Sequence, residues 1–498
     1  MKKLNDELNL NLNLKKTKVR EVRGPIIAWG AAVVICAIFV SLFFVRRNCI
    51  LNVKSCELSA EEILHFENVM DSAGYERRNT IHPLPYKMQY KTNAPELEIK
   101  AGAAILINAD TGDIIFEKNA DELIPPASMT KLFLMYTVFK KIEEGKASLD
   151  DVVPLDERMW ASRMPPSSSL MFLGKGQVVT LRELLLGLAV CSGNDASHAV
   201  AFYLFDDMDS FLSEVNSTIK KAGLEKTRIV EPSGYSEFNV TTAREMAAFS
   251  RIYINEYPDS LKLFHSVKKF VYPLEKNLLP EFKNREAQDF SKGIPDAIWT
   301  PVVQRATNTM LKTLEGCDGL KTGHIKESGY NIALTCKRGG ERYISVTMKG
   351  PGNSMAEGDK FRVSDGTALQ EFAFNNFYES PDYEARFDVA LLGAKENGVR
   401  LVAAYPVKTV LPLVKERDGQ VDDGEPGEVL RVKREVSFYV DIPPYLFGEV
   451  KCGKQYGSVK LLCDGHEIMN VPLVASKDIK KSNVFFRSVD HFVAKTIK

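Results

Sequence analysis

Three short groups of residues carry the types that acyl-transfer chemistry needs. The first is Ser128-Met129-Thr130-Lys131, directly after Pro125-Pro126. If it opens a helix, positions i and i+3 share a face, so the serine hydroxyl and the lysine amine meet. Serine is a weak nucleophile until a neighbouring base takes its proton. Lysine is such a base only when neutral, and burial or a second nearby cation lowers its pKa. The second group, Ser192-Gly193-Asn194, follows the apolar stretch Leu184–Val190. It offers a hydroxyl to relay a proton and an amide to hold a carbonyl. The third, Lys321-Thr322-Gly323, lies on an expected strand beginning Asp318-Gly319-Leu320. Its lysine supplies the second cation and its threonine a donor for a carboxylate. Its glycine lets a substrate backbone approach closely. Each group alone is commonplace; their order, on a helix start, a helix-end loop and a strand, is specific.

Such groups need a sheet flanked by helices to bring them together. Ala103–Ala109 and Ile114–Phe116 are apolar around the turn Asp110-Thr111-Gly112-Asp113, which predicts a hairpin. Helical periodicity follows over 128–145, 180–205, 207–222 and 242–255, with Thr180/Glu183 and Thr242/Glu245 spaced as capping boxes. Strands are expected at 317–323, 330–337 and 342–349, and a helix at 364–377. This order predicts an α/β (α+β) domain over 101–380, with helices packed on a mainly antiparallel sheet. After Pro381 the helical period disappears. Phe387–Leu392, Leu430–Val440 and Gly457–Cys463 are short and β-rich, which predicts a small all-β sandwich over 381–476.

The ends of the chain have another character. Gly24–Val45 carries no charge and is long enough to span a bilayer as a helix. Lys15, Lys16, Lys18, Arg20 and Arg23 precede it, and Arg46, Arg47 and Lys54 follow. The excess before the span places 1–23 in the cytoplasm and the rest outside. No small-x-small cleavage site follows, so the segment reads as an uncleaved anchor. Residues 46–100 read as a stalk. Within it, Ser59-Ala60-Glu61-Glu62 fits a capping box, and Arg77–Pro95 reads as a polar linker. At the far end Phe485, Val489, Phe492, Val493 and Ile497 fall on one helical face among Lys480, Lys481, Arg487, Lys495 and Lys498. Residues 477–498 therefore read as a basic amphipathic helix suited to an anionic membrane surface, the alternative being a helix docked on its own domain.

Composition narrows the class. Of 498 residues, 65 are Lys or Arg and 65 are Asp or Glu, so no basic surface for nucleic acid is expected. The neutral total is a cancellation. Residues 1–24 hold seven basic against three acidic side chains and 476–498 six against two, leaving the region between them acidic. Eight cysteines are too few for a disulfide scaffold, and their pairing cannot be read from sequence. They form no C-x-x-C, and the seven histidines no H-E-x-x-H, so neither a metal site nor a cofactor is expected.

The segments 125–132 (PPASMTKL), 191–197 (CSGNDAS) and 319–324 (GLKTGH) resemble the low-molecular-mass penicillin-binding proteins, serine D-alanyl-D-alanine carboxypeptidases. Thr241-Thr242-Ala243 and Gly329-Tyr330-Asn331 resemble them too, as does 450–474, which is similar to the family's C-terminal β-domain. The resemblance implies a penicillin-binding enzyme on the outer side of the bacterial cytoplasmic membrane, acting on peptidoglycan stem peptides ending in D-Ala-D-Ala. It implies Ser128 as nucleophile, Lys131 as its base and Ser192 as proton relay. Asn194, Lys321, Thr322, Gly323 and His324 would bind substrate, with the backbone N–H groups of Ser128 and His324 as oxyanion hole. β-Lactams would acylate Ser128 and leave slowly. Arg362 would lie near the substrate carboxylate, or else be a solvated residue at a helix start.

Two positions depart from the family pattern. Ile325 stands where relatives carry threonine, removing a hydroxyl near the carboxylate site. Glu231-Pro232-Ser233-Gly234 stands where relatives often carry Asn-Pro, and Glu231 reads as a turn residue rather than a deacylating base. A β-lactamase or D,D-endopeptidase of the same fold, or a catalytically silent cell-wall binding protein, are the alternatives.

Overall fold

The computed structural model describes residues 29–53, 56–72, 81–84, 97–205, 207–417, 420–421 and 430–497. The basic tail, the start of the expected span, most of the 77–95 linker, Lys54 and Lys498 lie outside the described residues.

The site is carried by a six-stranded sheet. Its order is His82–Pro83, Asp113–Lys118, Ala103–Asn108, Glu341–Gly350, Gly329–Arg338, Cys317–Ile325. Every pairing is antiparallel except the first, where His82 and Pro83 run parallel to Asp113 and Ile114. All six residues of Ala103–Asn108 are buried because helices cover both faces. On one face the helices 131–143 and 243–256 pack with Ile105, Ile107 and Val346 in the main core. On the other, Met355–Asn376 lays Leu369 and Ala373 against Leu106 and Tyr343.

That last helix starts nine residues before the expected 364, capped by Ser354, whose side chain accepts from the Glu357 N–H. Its early turns bury Arg362 and Asp365, which hides the apolar period. Asp365 accepts from the N–H groups of Lys100 (3.0 Å) and Ala101 (2.7 Å), tying the helix to the segment that leads into the strand Ala103–Asn108. Of the two expected capping boxes, Thr180/Glu183 is complete. Thr242 caps its helix, but Glu245 turns instead to the Lys226 N–H (2.9 Å) and Thr227 Oγ1 (2.5 Å).

The C-terminal all-β unit is built on a second six-stranded sheet: Val436–Asp441, Gln455–Cys463, His466–Ala475, Gly398–Ala403, Arg386–Leu392, Tyr445–Phe447. Alternation along Val459, Leu461 and Met469, Val471, Leu473 points one face into its own core. It is joined to the first sheet by Asp113, which is buried and accepts from Thr409 Oγ1 (2.8 Å) and the Val410 N–H (3.0 Å).

The N-terminal apolar helix and the C-terminal helix both reach this β unit. The apolar helix Trp29–Leu51 reaches a mean hydropathy of 2.2, with none of that stretch buried. It continues six residues past the expected Val45. Its last turns find partners: Ile50 packs with Ala390 and Leu392, and Arg46 pairs with Asp490. The expected stalk is not a free spacer throughout. Its helix Ala60–Ser72 sets Phe66 and Met70 against Ala404 and Val474. The terminal helix Val484–Ala494 divides its apolar residues. Val489 and Val493 are buried on the β unit, while Val484, Phe485 and Phe492 stay exposed. The docked alternative holds for Val489 and Val493, while Phe485 and Phe492 are left exposed.

Candidate active site

Ser128 lies in the single 3-10 turn Ala127–Thr130, which runs into the helix Lys131–Glu143. Pro126 fixes the entry, and Ala127 takes φ +51°, a conformation costly for a residue with a Cβ. Strand Cys317–Ile325 passes directly over this turn. A Cβ at Gly323 would sit 2.5 Å from the Pro126 carbonyl oxygen and 3.2 Å from the Ser128 nitrogen. The glycine was expected to admit a substrate backbone; the approach that demands it is that of the protein's own 126–128 turn.

Lys131 is completely buried, and its Nζ meets three oxygens: Ser128 Oγ at 2.9 Å, Asn194 Oδ1 at 2.9 Å and the Ser233 carbonyl. A neutral amine has two N–H groups and one lone pair. The amide and carbonyl oxygens only accept, so they take the two N–H groups, and the lone pair faces the serine O–H. Burial pulls the Lys131 pKa down to about 7, against the pull of Glu231 and Asp195. The amine is thus poised near neutrality.

Ser192 closes a helical turn at φ +61°, in the left-handed region, which breaks the expected 180–205 helix in two. Its Oγ accepts from Lys321 Nζ at 2.9 Å, and Lys321 also donates to the Thr322 carbonyl at 3.0 Å. Burial and the neighbouring Lys131 and Arg362 cations hold the Lys321 pKa well below the usual lysine range. Thr322 Oγ1 donates to Thr307 Oγ1 at 2.7 Å. Ile325 is half-buried and pairs with Gly329 at the end of the strand.

Arg362 is not a solvated helix-start residue. It is 6 % exposed, donates to Asp359 Oδ1 at 3.0 Å, and lies 5.5 Å over the Tyr330 ring. The exposed His324 stacks on that same ring, centroids 4.2 Å apart. The basic side chains of Lys321 and Arg362 therefore flank the strand end. Arg362 has no direct hydrogen bond to the three groups.

Several supporting residues carried no signal of their own in the sequence. Asp195 is fully buried and accepts from the N–H groups of Met171 (2.8 Å) and Leu173 (2.9 Å), fixing the 168–173 loop against the second group. Burial raises its pKa despite these donors. Its only hint was a charge next to Asn194. Ser168 Oγ accepts from Asn194 Nδ2 at 3.1 Å. His265 accepts or donates between Tyr253 Oη (2.9 Å) and the Leu320 carbonyl (3.2 Å), bracing the third group's strand; burial takes its pKa to about 4. Glu231 spends its carboxylate on its own loop, accepting from the Ser233 N–H (2.8 Å), Ser233 Oγ (2.6 Å), the Gly234 N–H (2.6 Å) and Asn239 Nδ2 (3.0 Å). That loop presents the Ser233 carbonyl to Lys131.

A serine bonded to a buried, poised lysine, beside a second serine on a second buried lysine, marks the class as a serine-type hydrolase. Residues 88–352 match the family described as D-alanyl-D-alanine carboxypeptidase, peptidase S11. The chain belongs to this family, and so to the low-molecular-mass penicillin-binding proteins. It is 28 % identical over 404 residues to the D-alanyl-D-alanine carboxypeptidase DacF of Bacillus subtilis, covering 81 % of this chain and 92 % of that one. It is 27 % identical over 420 residues to DacA of Escherichia coli, covering 81 % and 90 %. The crystal structure of penicillin binding protein 5 from Haemophilus influenzae aligns with a TM-score of 0.60 at 25 % identity, over 77 % of this chain and 98 % of that one.

Proposed function

We propose that this chain is a membrane-anchored serine D-alanyl-D-alanine carboxypeptidase that trims the terminal D-alanine from peptidoglycan stem peptides. The observation that carries the reading is the contact of Lys131 Nζ with Ser128 Oγ at 2.9 Å inside a buried site. Lys131 takes the hydroxyl proton as Ser128 Oγ attacks the carbonyl between the two D-alanines. The N–H groups of Ser128 and His324 hold the oxyanion. When the C–N bond breaks, Ser192, its Oγ held by Lys321, passes a proton to the departing amine and recovers one from the protonated Lys131, which is neutral again. Asn194 orients the peptide and also holds Lys131. Water, deprotonated by Lys131, then releases the acyl group. Thr322 and Arg362 receive the terminal carboxylate. Two basic side chains, Lys321 and Arg362, close to that position support this assignment and offset the hydroxyl absent at Ile325.

A β-lactam acylates Ser128 by the same attack. The full engagement of Glu231 in its own loop favours slow deacylation over β-lactamase turnover. Residues 101–380 perform the chemistry, 381–476 form the β-domain, and both ends place the enzyme at the membrane. The expected 24–45 segment spans it, with the catalytic region on the extracytoplasmic side. The exposed Val484, Phe485 and Phe492 enter its outer surface. Incubation of the protein with a pentapeptide ending in D-Ala-D-Ala tests the activity. D-alanine should appear with the native chain and not with Ser128→Ala; equal release from both would discard the mechanism. Fluorescent penicillin labelling separates a silent cell-wall binder.

A further inference from the structure

Cys317 and Cys336 face each other directly across the two strands that carry and support the third group. The Lys337 N–H donates to the Gly316 carbonyl at 2.9 Å, just outside this pair, and the Cys317 N–H turns back to the Leu314 carbonyl at 3.2 Å. The two cysteines are therefore a non-hydrogen-bonded antiparallel pair. In such pairs the Cα atoms stand about 4.5 Å apart, within the roughly 4.4–6.8 Å that a disulfide spans. Opposed residues in a ladder point to the same face, and here both side chains belong to one apolar cluster with Met310, Leu314 and Leu334. Neither thiol is taken up elsewhere by a strong partner. Apart from the Cys336 thiol, Cys317 Sγ makes long contacts, to the Gly319 carbonyl at 3.7 Å and Asn308 Nδ2 at 3.9 Å. The remaining described cysteines have no such opposed partner among the registered strand pairs.

We propose that Cys317 and Cys336 form a cross-strand disulfide when the protein meets a disulfide oxidant, pinning the start of the strand that presents Lys321. The half-buried Cys317 is the entry point. Its thiolate attacks one sulfur of an oxidant disulfide, forming a mixed disulfide and releasing one thiolate. Cys336, deprotonated in turn, attacks Cys317 Sγ, closes the bond and expels the second oxidant sulfur. Two protein thiols are oxidised, one disulfide is reduced to two thiols, and the two protons pass to those leaving sulfurs. The bond would close a loop containing the whole Lys321-Thr322-Gly323 hairpin. It would hold that strand end in place from four residues before Lys321, without touching substrate.

The geometry of the two strands carries this proposal, independently of the serine chemistry. The test uses the full chain, purified reduced in detergent and then treated with excess glutathione disulfide. After denaturation and thiol alkylation, peptide mass spectrometry should find a linked 317–336 peptide lacking two hydrogens. The melting temperature should rise by several degrees, fall back with dithiothreitol, and fail to rise in Cys317→Ser or Cys336→Ser. Cys56→Ser and Cys452→Ser should keep the rise. Recovery of both cysteines alkylated, or each carrying its own glutathione, from protein that still labels with penicillin would overturn the proposal. Penicillin labelling in the same samples keeps this outcome separate from a failure of the active-site assignment.

Discussion

Two regions of this molecule bury charge, and they treat it in opposite ways. In the cleft, Lys131 and Lys321 are fully buried, and the oxygens they touch are all neutral. Where the N-terminal apolar helix and the C-terminal helix meet, Asp490 is equally buried but is gripped by Arg46 at two points, 2.7 Å from Nε and 2.6 Å from Nη2, and by the Gly393 N–H at 2.6 Å. The junction keeps its charges by pairing them, which makes a structural clamp. The cleft leaves its lysines without a counter-ion in contact, so their charge is easily given up, as the proposed role of Lys131 as base requires. The same burial thus yields chemistry or cohesion according to whether a counter-ion is in contact.

The contrast is most severely tested at the nucleophile. Ser128→Ala should remove covalent penicillin labelling and cut D-alanine release by at least about 10³-fold. Residual labelling would mean that another residue is acylated. Lys131→Arg comes next. Guanidinium keeps the charge but cannot be neutral at any working pH. Acylation should fall by about 10³-fold although the cation is retained, and a near-native rate would show that charge rather than basicity matters.

A smaller and more specific effect is expected at the packing contact beneath the serine. Gly323→Ala puts a Cβ 2.5 Å from the Pro126 carbonyl and must shift the turn, costing about 10² in acylation rate with little change in fold. Far-ultraviolet circular dichroism beside stopped-flow acylation reads both.

The pH profile sharpens the comparison further. Lys131 is protonated below its pKa of about 7 and neutral above it. The acylation rate should therefore rise with pH through about 7 and level off. A flat profile from pH 5 to pH 9, values of roughly two units either side of that midpoint, would contradict the assigned base. Stability responds in the same direction. An unfolded lysine holds its proton to pH about 10.4. Between about 7 and that value the unfolded chain binds more protons, so this group makes the folded state more stable as pH rises.

The smallest effect on catalysis belongs to the clamp. Asp490→Ala leaves Arg46 without its carboxylate, with only Asn397 still accepting from it, and should loosen the terminal helix by about 3 kcal/mol, while penicillin acylation stays within about twofold. Limited proteolysis should release the C-terminal peptide sooner than in the native chain. An equal decline in acylation would show that the two regions are coupled.

Much of the cleft was legible because its logic is local. Ser128 and Lys131 are one helical turn apart, so their meeting follows from helix geometry once the segment is helical. The clamp was not, because Arg46 and Asp490 lie far apart in the chain; Arg46 was read as membrane flank and Asp490 was not singled out within the terminal helix. Periodicity found the apolar residues of the terminal helix, yet it could not say that Val489 and Val493 turn inward while Phe485 and Phe492 face out. The early turns of the 355–376 helix were missed for a related reason. Buried Arg362 and Asp365 look polar in sequence; Asp359 one turn back and the Tyr330 ring accommodate the first, and the N–H groups of Lys100 and Ala101 the second.

The sequence by itself determined the chemistry available: a hydroxyl beside an amine, a second hydroxyl and amide, a second amine with its threonine, and an apolar span ahead of them. These follow from residue type and short spacing. Tertiary structure alone decided that Lys131 is dry enough to act near neutral pH and that the Ser233 carbonyl completes its shell. It also decided that Gly323 serves the protein's own turn, that Arg362 is buried beside the strand end, and that the N-terminal apolar helix and the C-terminal helix both reach the β unit. Each of these depends on desolvation or on contact between residues far apart in the chain, quantities that local spacing does not encode.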